Sequence, residues 1–336
     1  MKDPHLAIIR WAHPLAIAGY LQHMGAPEAR YLRKQGLPTL CEDPNVFVSI
    51  HKTWLFFADA AAREDQWLGW RASRFIGDHN LNASLLRKLE NSPTLYQALL
   101  ALIHLVRSEA SHIQMGIRKH PSGILFFTHY PGLEEEPGYH ISQGYQLGLL
   151  IDLVRHYAGP DWQPKEIGIQ ASSIPSVINE LYPGSRTIIN QPFGYFTIPN
   201  NCLHNALKHK HQDLAGNPGL ANTNDLSDAQ TLNLMLVPYL SEGYPTMQFA
   251  ASLLDYSKRT LARRLAACGT NYQKVVDETR FRKAETLLTV TDARIKDVAR
   301  SVGFSDPAHF SRMFQRLGGI GPLHFRRLAR NGSETP

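Results

Sequence analysis

Ser257-Lys258-Arg259-Thr260-Leu261-Ala262-Arg263-Arg264-Leu265 is the stretch that decides how this chain is read. A serine at its head caps a helix, because its hydroxyl accepts a hydrogen bond from a backbone N–H of the first turn. Leu261 and Leu265 stand four apart, share one face, and are expected to be buried. Lys258, Arg259, Ala262 and Arg263 are then left facing outward. Just before it, residues 247–254 read as a short helix and Asp255-Tyr256 as a turn. A helix, a tight turn and a second helix with a cationic outer face make a helix-turn-helix, whose second helix enters the major groove of double-stranded DNA.

Forty-eight residues further on the same grammar returns. Residues 295–302 read as a first helix, and Gly303 as a turn where a positive φ is easily adopted. Ser305-Asp306-Pro307 then caps a second helix over 308–317. Phe310 and Phe314, again four apart, point inward. Ala308, His309, Arg312 and Gln315 lie on other faces, with Arg316 beside them. Between the two units, residues 272–288 form one continuous helix, which at 1.5 Å per residue spans about 25 Å. With loops and packing offsets added, the two recognition helices are expected about 34 Å apart, one turn of DNA, so that one chain reads two successive major grooves.

Charge is distributed in the same sense. From Ser241 to Pro336 the chain carries +7, against −1 over the first 240 residues, so the basic excess of +6 falls in the last hundred. A cationic segment joined to a neutral one reads as a polyanion-binding module attached to something else. With 336 residues, 43% of them hydrophobic, the chain can bury two cores. No apolar run reaches the roughly 20 residues of a membrane-spanning helix. The N-terminus has no basic segment followed by an apolar stretch, so no secretion signal is read there.

Cys41, Cys202 and Cys268 are far apart and in no metal or redox spacing, which suits a reduced cytoplasm. Nucleophile-elbow, phosphate-loop and zinc-protease signatures are missing, so neither enzyme activity nor a cofactor or metal is expected. His204, His209 and His211 have a loosely ligand-like spacing but no carboxylate or cysteine beside them, and read as solvated. Glu134-Glu135-Glu136, between Pro131 and Pro137, reads as a solvated loop.

Upstream of residue 207, helices and strands interleave. Ser92 reads as a helix cap with Pro93 at the first helical position, followed by Leu95, Leu99, Leu102 and Val106 on one face. Residues 112–118 and 124–130 read as antiparallel strands around a turn at 119–123. A long helix is expected over 139–157, further strands at 166–170 and 187–198, and a short helix near 176–182. The first ninety residues read as mostly helical, with apolar periodicity at 15–24 and 46–62. The expected architecture is therefore multidomain. An N-terminal α+β domain, helices with an antiparallel sheet, covers 1–207 and serves sensing and dimerisation. A polar linker rich in Gly, Asn and Asp covers 208–228. An all-α double helix-turn-helix domain covers 229–330, with its units at 247–265 and 295–317. Phe126, Tyr130, Tyr145, Phe193 and Tyr195, with Phe127 and Phe196, are the candidates for lining a small-molecule pocket; plain core packing is the alternative.

These motifs also carry a resemblance. Gly303-Phe304-Ser305-Asp306-Pro307-Ala308-His309-Phe310-Ser311-Arg312-Met313-Phe314, continued by Gly319-Ile320-Gly321-Pro322-Leu323-His324-Phe325-Arg326, resembles the AraC/XylS family of transcriptional regulators. Residues 257–265 followed by Gly269-Thr270-Asn271-Tyr272 resemble the first unit of that family, and together the match covers about 241–330. Two departures stand out: Asp255 where a glycine is usual, and Gly321 where a Ser or Thr cap is usual. Asp tolerates left-handed geometry and Gly is an acceptable cap, so both are compatible with the fold. Residues 92–99 and Gly159-Pro160-Asp161-Trp162-Gln163-Pro164 resemble the effector domain of ornithine-responsive regulators, the arabinose-binding-like α+β type and not the cupin type.

The resemblance implies a cytoplasmic, effector-responsive regulator, activator or repressor. Its partners would be promoter or operator DNA, RNA polymerase, a small-molecule effector and a second copy of itself, with no membrane. Arg259 and Arg263 would read guanine in one groove, Arg312 and His309 in the next. Ala262 and Ala308 would allow close approach and touch thymine methyls, while Lys258 and Arg316 add cationic contacts. A ligandless protein-interaction or dimerisation module is the competing reading of the N-terminal domain. A repair enzyme fused to the same module would need a cysteine cluster that this sequence lacks.

Overall fold

The computed structural model describes residues 7–39, 41, 43–78, 89, 92–207 and 223–331. The elements run β1 (Ile8–Arg10), α1 (Ala12–His23), α2 (Glu28–Lys34), β2 (Phe47–Ser49), α3 (Ile50–Arg63), α4 (Leu68–Asp78), α5 (Leu95–Leu105), β3 (Gln114–His120), β4 (Gly123–His129) and α6 (Tyr139–Ala158). They continue with β5 (Glu166–Gly168), α7 (Ser176–Leu181), β6 (Arg186–Ile188), β7 (Gly194–Pro199), α8 (Asp228–Leu236), α9 (Met247–Leu253) and α10 (Lys258–Ala267). The last four helices are α11 (Tyr272–Val290), α12 (Ile295–Ser301), α13 (Pro307–Gly318) and α14 (Pro322–Asn331). Two compact units result: Met1–Thr39 with Ile50–Asp225, and Leu40–Ser49 with Leu226–Pro336.

The first unit is α+β. Its five-stranded sheet has the order β3-β4-β7-β5-β6. A two-residue turn, Pro121-Ser122, joins β3 and β4 in register, Gln114 opposite His129 and His120 opposite Gly123. The sheet is mixed, not purely antiparallel as expected: β5 and β6 run parallel, because α7 crosses over between them. The single strand expected at 187–198 is two, since Asn190 takes a φ of +55° and ends β6. Thr94, not Ser92, caps α5; it is extended, and its side chain accepts from the Gln97 N–H, which leaves Pro93 outside the helix.

Period-two alternation divides the sheet into two faces. Ile117, Phe126, Phe196 and Ile167 stand in one cross-strand row and join the core cluster with Leu147, Ile151 and Val154 of α6. Gly116, Phe127, Tyr195 and Gly168 form the row on the other face, where the Phe127 and Tyr195 rings cover the two glycines. Helix α6 has 13 of its 20 residues buried, so it is packed from several sides at once. Gly144 and Gly148 let α4 approach it closely: a Cβ on Gly148 would lie 1.9 Å from Ser73 Oγ. The acidic loop is engaged, contrary to expectation, with Glu134 2.7 Å from His129 Nε2 and Glu136 2.8 Å from His51 Nδ1.

The second unit is helical apart from β2. Phe47 and Val48 are buried and β2 packs on α8, so residues 40–49 group with this unit and not with the N-terminal domain expected over 1–207. The expected linker is structured at its C-terminal end. Ser227 and Gln230 form a capping box on α8, a reciprocal pair that satisfies two N–H donors at the helix start. Within the first unit, the Thr223 hydroxyl donates to the Arg107 carbonyl at 2.6 Å. The rest of that stretch, 208–222 with His209 and His211, lies outside the described residues. Ala284 and Leu288 of α11 pack with Val298, Ala299, Val302, Phe310, Met313 and Phe314 to make the core beneath the second motif.

Candidate nucleic-acid interface

Helices α9 and α10 form the first motif. Thr246 caps α9 by accepting from the Phe249 N–H at 3.1 Å. The turn is closed by Asp255 at a φ of +54° and by the Tyr256 N–H donating to the Ala251 carbonyl at 2.9 Å. Ser257 then caps α10, accepting from the Thr260 N–H at 3.1 Å. Leu261 and Leu265 are buried, which turns Lys258, Arg259, Ala262 and Arg263 outward, all exposed. Among the described residues, the side chains of Lys258, Arg259 and Arg263 make no hydrogen bond or ion pair. Their neighbour Arg264 is committed elsewhere: its guanidinium lies 4.9 Å from the centre of the Tyr256 ring and bonds Asp228 Oδ2 at 3.2 Å. About 100° of helical rotation per residue thus separates a structural arginine from an available one.

Helices α12 and α13 form the second motif. Gly303 has a φ of +80°, and a Cβ there would lie 2.6 Å from the Leu240 carbonyl oxygen. Asp306 caps α13, accepting from the Ala308 N–H at 2.8 Å, and Pro307 opens it. Phe310 and Phe314 are fully buried, while Ala308, His309, Arg312 and Arg316 are exposed. His309 and Arg312 have no side-chain partner among the described residues. Arg316 differs: it bonds Asp277 Oδ2 at 2.6 Å, although its side chain remains 64% exposed.

Helix α11 is more than a spacer. Tyr272 donates to the Pro245 carbonyl at 2.5 Å, near the start of α9. Asp277, buried, receives Gln273 Nε2 at 2.9 Å as well as Arg316. Arg280 is buried to 4% exposure between Tyr244 and Phe304, whose ring centres lie 4.6 and 4.3 Å from its Cζ, and it donates to the Gly303 carbonyl at 2.8 Å. Burial pulls its pKa below the usual arginine value, an effect that Tyr244 and Asp277 oppose. Lys283 is also depressed by burial and donates to the Val237 carbonyl at 3.2 Å. Sequence reasoning missed Asp277, Arg280 and Lys283 as positioning residues. The signal for the first two was that Asp277 and Arg280 recur at helical spacing with Ala284 and Leu288, on the face that packs.

Of the five residues put forward for a small-molecule pocket, the structure brings Tyr130 and Tyr145 to one cavity in the first unit. Phe126 does not line it; it sits in the packed core, 6.1 Å from Phe196 between ring centres. Phe193 and Tyr195 belong to the other face of the sheet. Phe193 stacks on Phe127 beneath Arg118, and Tyr195 donates to Glu166 Oε1 at 2.8 Å. Alternation along the strands moved them there. No group of three or more His, Cys, Asp or Glu suited to a metal occurs among the described residues, and no described helix is long and apolar enough to cross a membrane.

Comparison with known proteins bears on the second unit. Residues 250–328 match a family model described as a helix-turn-helix domain. The chain is 37% identical over 83 residues to the ornithine utilization regulator of Pseudomonas aeruginosa, covering 25% of this chain and 24% of that one. It is 31% identical over 115 residues to the transcriptional activator NphR of a Rhodococcus species, covering 34% and 33% respectively. Among solved structures, the transcriptional regulator CdpR of P. aeruginosa aligns over 90% of this chain and 96% of its own, with 17% identity and a TM-score of 0.36. The aligned stretch spans about a quarter to a third of the length of these two sequence relatives. The chain thus carries a helix-turn-helix domain of the kind found in transcriptional regulators.

Proposed function

We propose that this protein is a sequence-specific, DNA-binding transcriptional regulator that sets α10 and α13 into successive major grooves of promoter or operator DNA. The observation that carries this reading is the pairing of two capped helices, each presenting at least one outward arginine, Arg259 and Arg263 on α10 and Arg312 on α13, that has no partner among the described residues. An unpaired guanidinium offers two parallel donors to guanine O6 and N7. Arg259 and Arg263 take that role in the first groove and Arg312 with His309 in the second. Ala262 and Ala308 permit close approach, and Lys258 binds phosphate. Arg316, already bonded to Asp277, is assigned a phosphate contact, with its ion pair fixing α13 on the connector. Affinity should fall steeply with salt, since each neutralised phosphate releases counterions.

The first unit is proposed as an effector-sensing and dimerising domain of the kind found in ornithine-responsive regulators, acting in the cytoplasm. Its state would govern how RNA polymerase is engaged, through differential affinity of the effector for two arrangements of the protein. The cavity in the first unit favours effector sensing over a ligandless interaction module. Selection from a randomised duplex library with the full-length protein tests the DNA reading. A bipartite site with half-sites about 10 base pairs apart is expected; recovery of no preferred sequence would overturn it.

A further inference from the structure

A cavity of about 60 Å³ lies within the first unit, walled by α6 together with residues from β1, α1, α3, α5 and β3. A single water needs roughly 10–15 Å³ of such space, so the cavity suits a small organic molecule. Most of its wall is hydrocarbon: Ile9, Leu102, Ile113, Met115, Leu149 and Leu150. Six lining residues carry polar groups, His13, Glu109, Tyr130, Ser142, Tyr145 and Gln146, and three of these adjoin one another. Tyr145 Oη lies 3.5 Å from His13 Nδ1, and His13 Nε2 lies 3.9 Å from Glu109 Oε2. The other Glu109 oxygen faces Arg10 Nε at 3.2 Å, and Arg10 is not part of the lining.

We propose that this cavity is the effector site, and that it takes an uncharged, mainly hydrocarbon molecule carrying one hydroxyl, or a comparable donor, held at its polar end by Glu109, His13 and Tyr145. The proposal rests on the effector-responsive reading given above and names the ligand class for it. An apolar wall with a few convergent polar groups is the usual build of a small-molecule site. The charges select the head group. A ligand carboxylate would stand against Glu109 in a poorly solvated space, where like charges repel strongly. A ligand cation would compete with Arg10, which already answers the Glu109 charge, and would be left with little compensation for its own desolvation. A hydroxyl avoids both costs and can donate to the carboxylate, a bond stronger than one between neutral groups. Burial holds the Tyr130 and Tyr145 phenols above their ordinary pKa, so neither supplies a competing anion.

The test uses the full-length chain without DNA and two probes of like shape, cyclohexanol and cyclohexanecarboxylate. Cyclohexanol at saturation is expected to raise the melting temperature by about 2 °C or more, and the carboxylate to leave it unchanged. Ala110→Leu, which adds three carbons inside the cavity, should abolish the shift. Glu109→Gln keeps the shape and removes the charge. It should weaken cyclohexanol about fivefold and tighten the carboxylate about tenfold, a gain that a merely unfolded variant would not show. No shift with cyclohexanol would overturn the proposal, as would wild-type binding of both probes alike or alcohol binding unchanged in both variants. Because DNA is absent from the measurement, a protein that binds cyclohexanol but selects no duplex sequence would sink the regulator reading and leave the cavity assignment standing. One that selects a duplex but ignores the alcohol would do the reverse.

Discussion

The two helix-turn-helix motifs make the same turn with different residues, and the contrast shows what each turn must bear. Asp255 holds a left-handed φ of +54° at an exposed position. Gly303, at +80°, is backed by the Leu240 and Gly243 carbonyls and the Arg280 guanidinium, all within 3.0 Å of where its Cβ would be. A short polar side chain is tolerated in the left-handed region when space allows; here space decides which turn can carry one. The second motif is also tied more closely to the connector, through Arg280 at its turn and Asp277 at α13. The first is held at its rear by Arg264 and Asp228.

That difference can be broken deliberately. Gly303→Ala combines a left-handed penalty with overpacking and is expected to cost about 3 kcal/mol, measured by urea unfolding of the full chain. Asp255→Ala, which only loses a tolerated side chain, should cost about 1 kcal/mol; equal costs at the two sites would refute the crowding argument. Arg280→Leu strips the donor from the Gly303 carbonyl and should cost about 2 kcal/mol, with the second groove's base preferences lost before the first's in a selection experiment. Arg263→Ala and Arg312→Ala should each weaken the selected site by about 1–3 kcal/mol and relax preference at one position. Arg316→Ala should instead weaken binding evenly across sequences, lower the salt slope by about 1, and reduce stability by about 1 kcal/mol, since it leaves the buried Asp277 carboxylate with Gln273 alone. If Arg316→Ala changed base preference while Arg312→Ala did not, the roles assigned on α13 would be exchanged. The smallest effect is expected for Asp255→Gly: relief of left-handed strain, offset by greater freedom of the unfolded chain, should leave a gain of about 0.5 kcal/mol.

Much of the second unit was legible because its signals are local. A cap and the N–H it serves lie two or three residues apart, as with Ser257 and Thr260 or Asp306 and Ala308. Leu261 with Leu265, and Phe310 with Phe314, declare a buried face within a single turn and a bit. The first unit resisted the same treatment. Phe126 and Tyr130 share one face of their strand and its extension, yet Phe126 is packed core and Tyr130 lines the cavity. The side chains of Phe193 and Tyr195 were sent to the opposite face by a register that no local pattern announces.

What the sequence determined by itself was the pair of capped, cation-faced helices, the glycine or aspartate that turns the chain before each, and the basic charge gathered around them. Tertiary structure alone decided which cations stay available, because Arg264, Arg280 and Arg316 found partners 36, 23 and 39 residues away. It also decided where the cavity lies, since its walls meet from residues as distant as Ile9 and Leu153. Capping and helical periodicity act over a few residues and are written along the chain; ion pairs and voids depend on which surfaces finally meet, and that is settled only when the core closes.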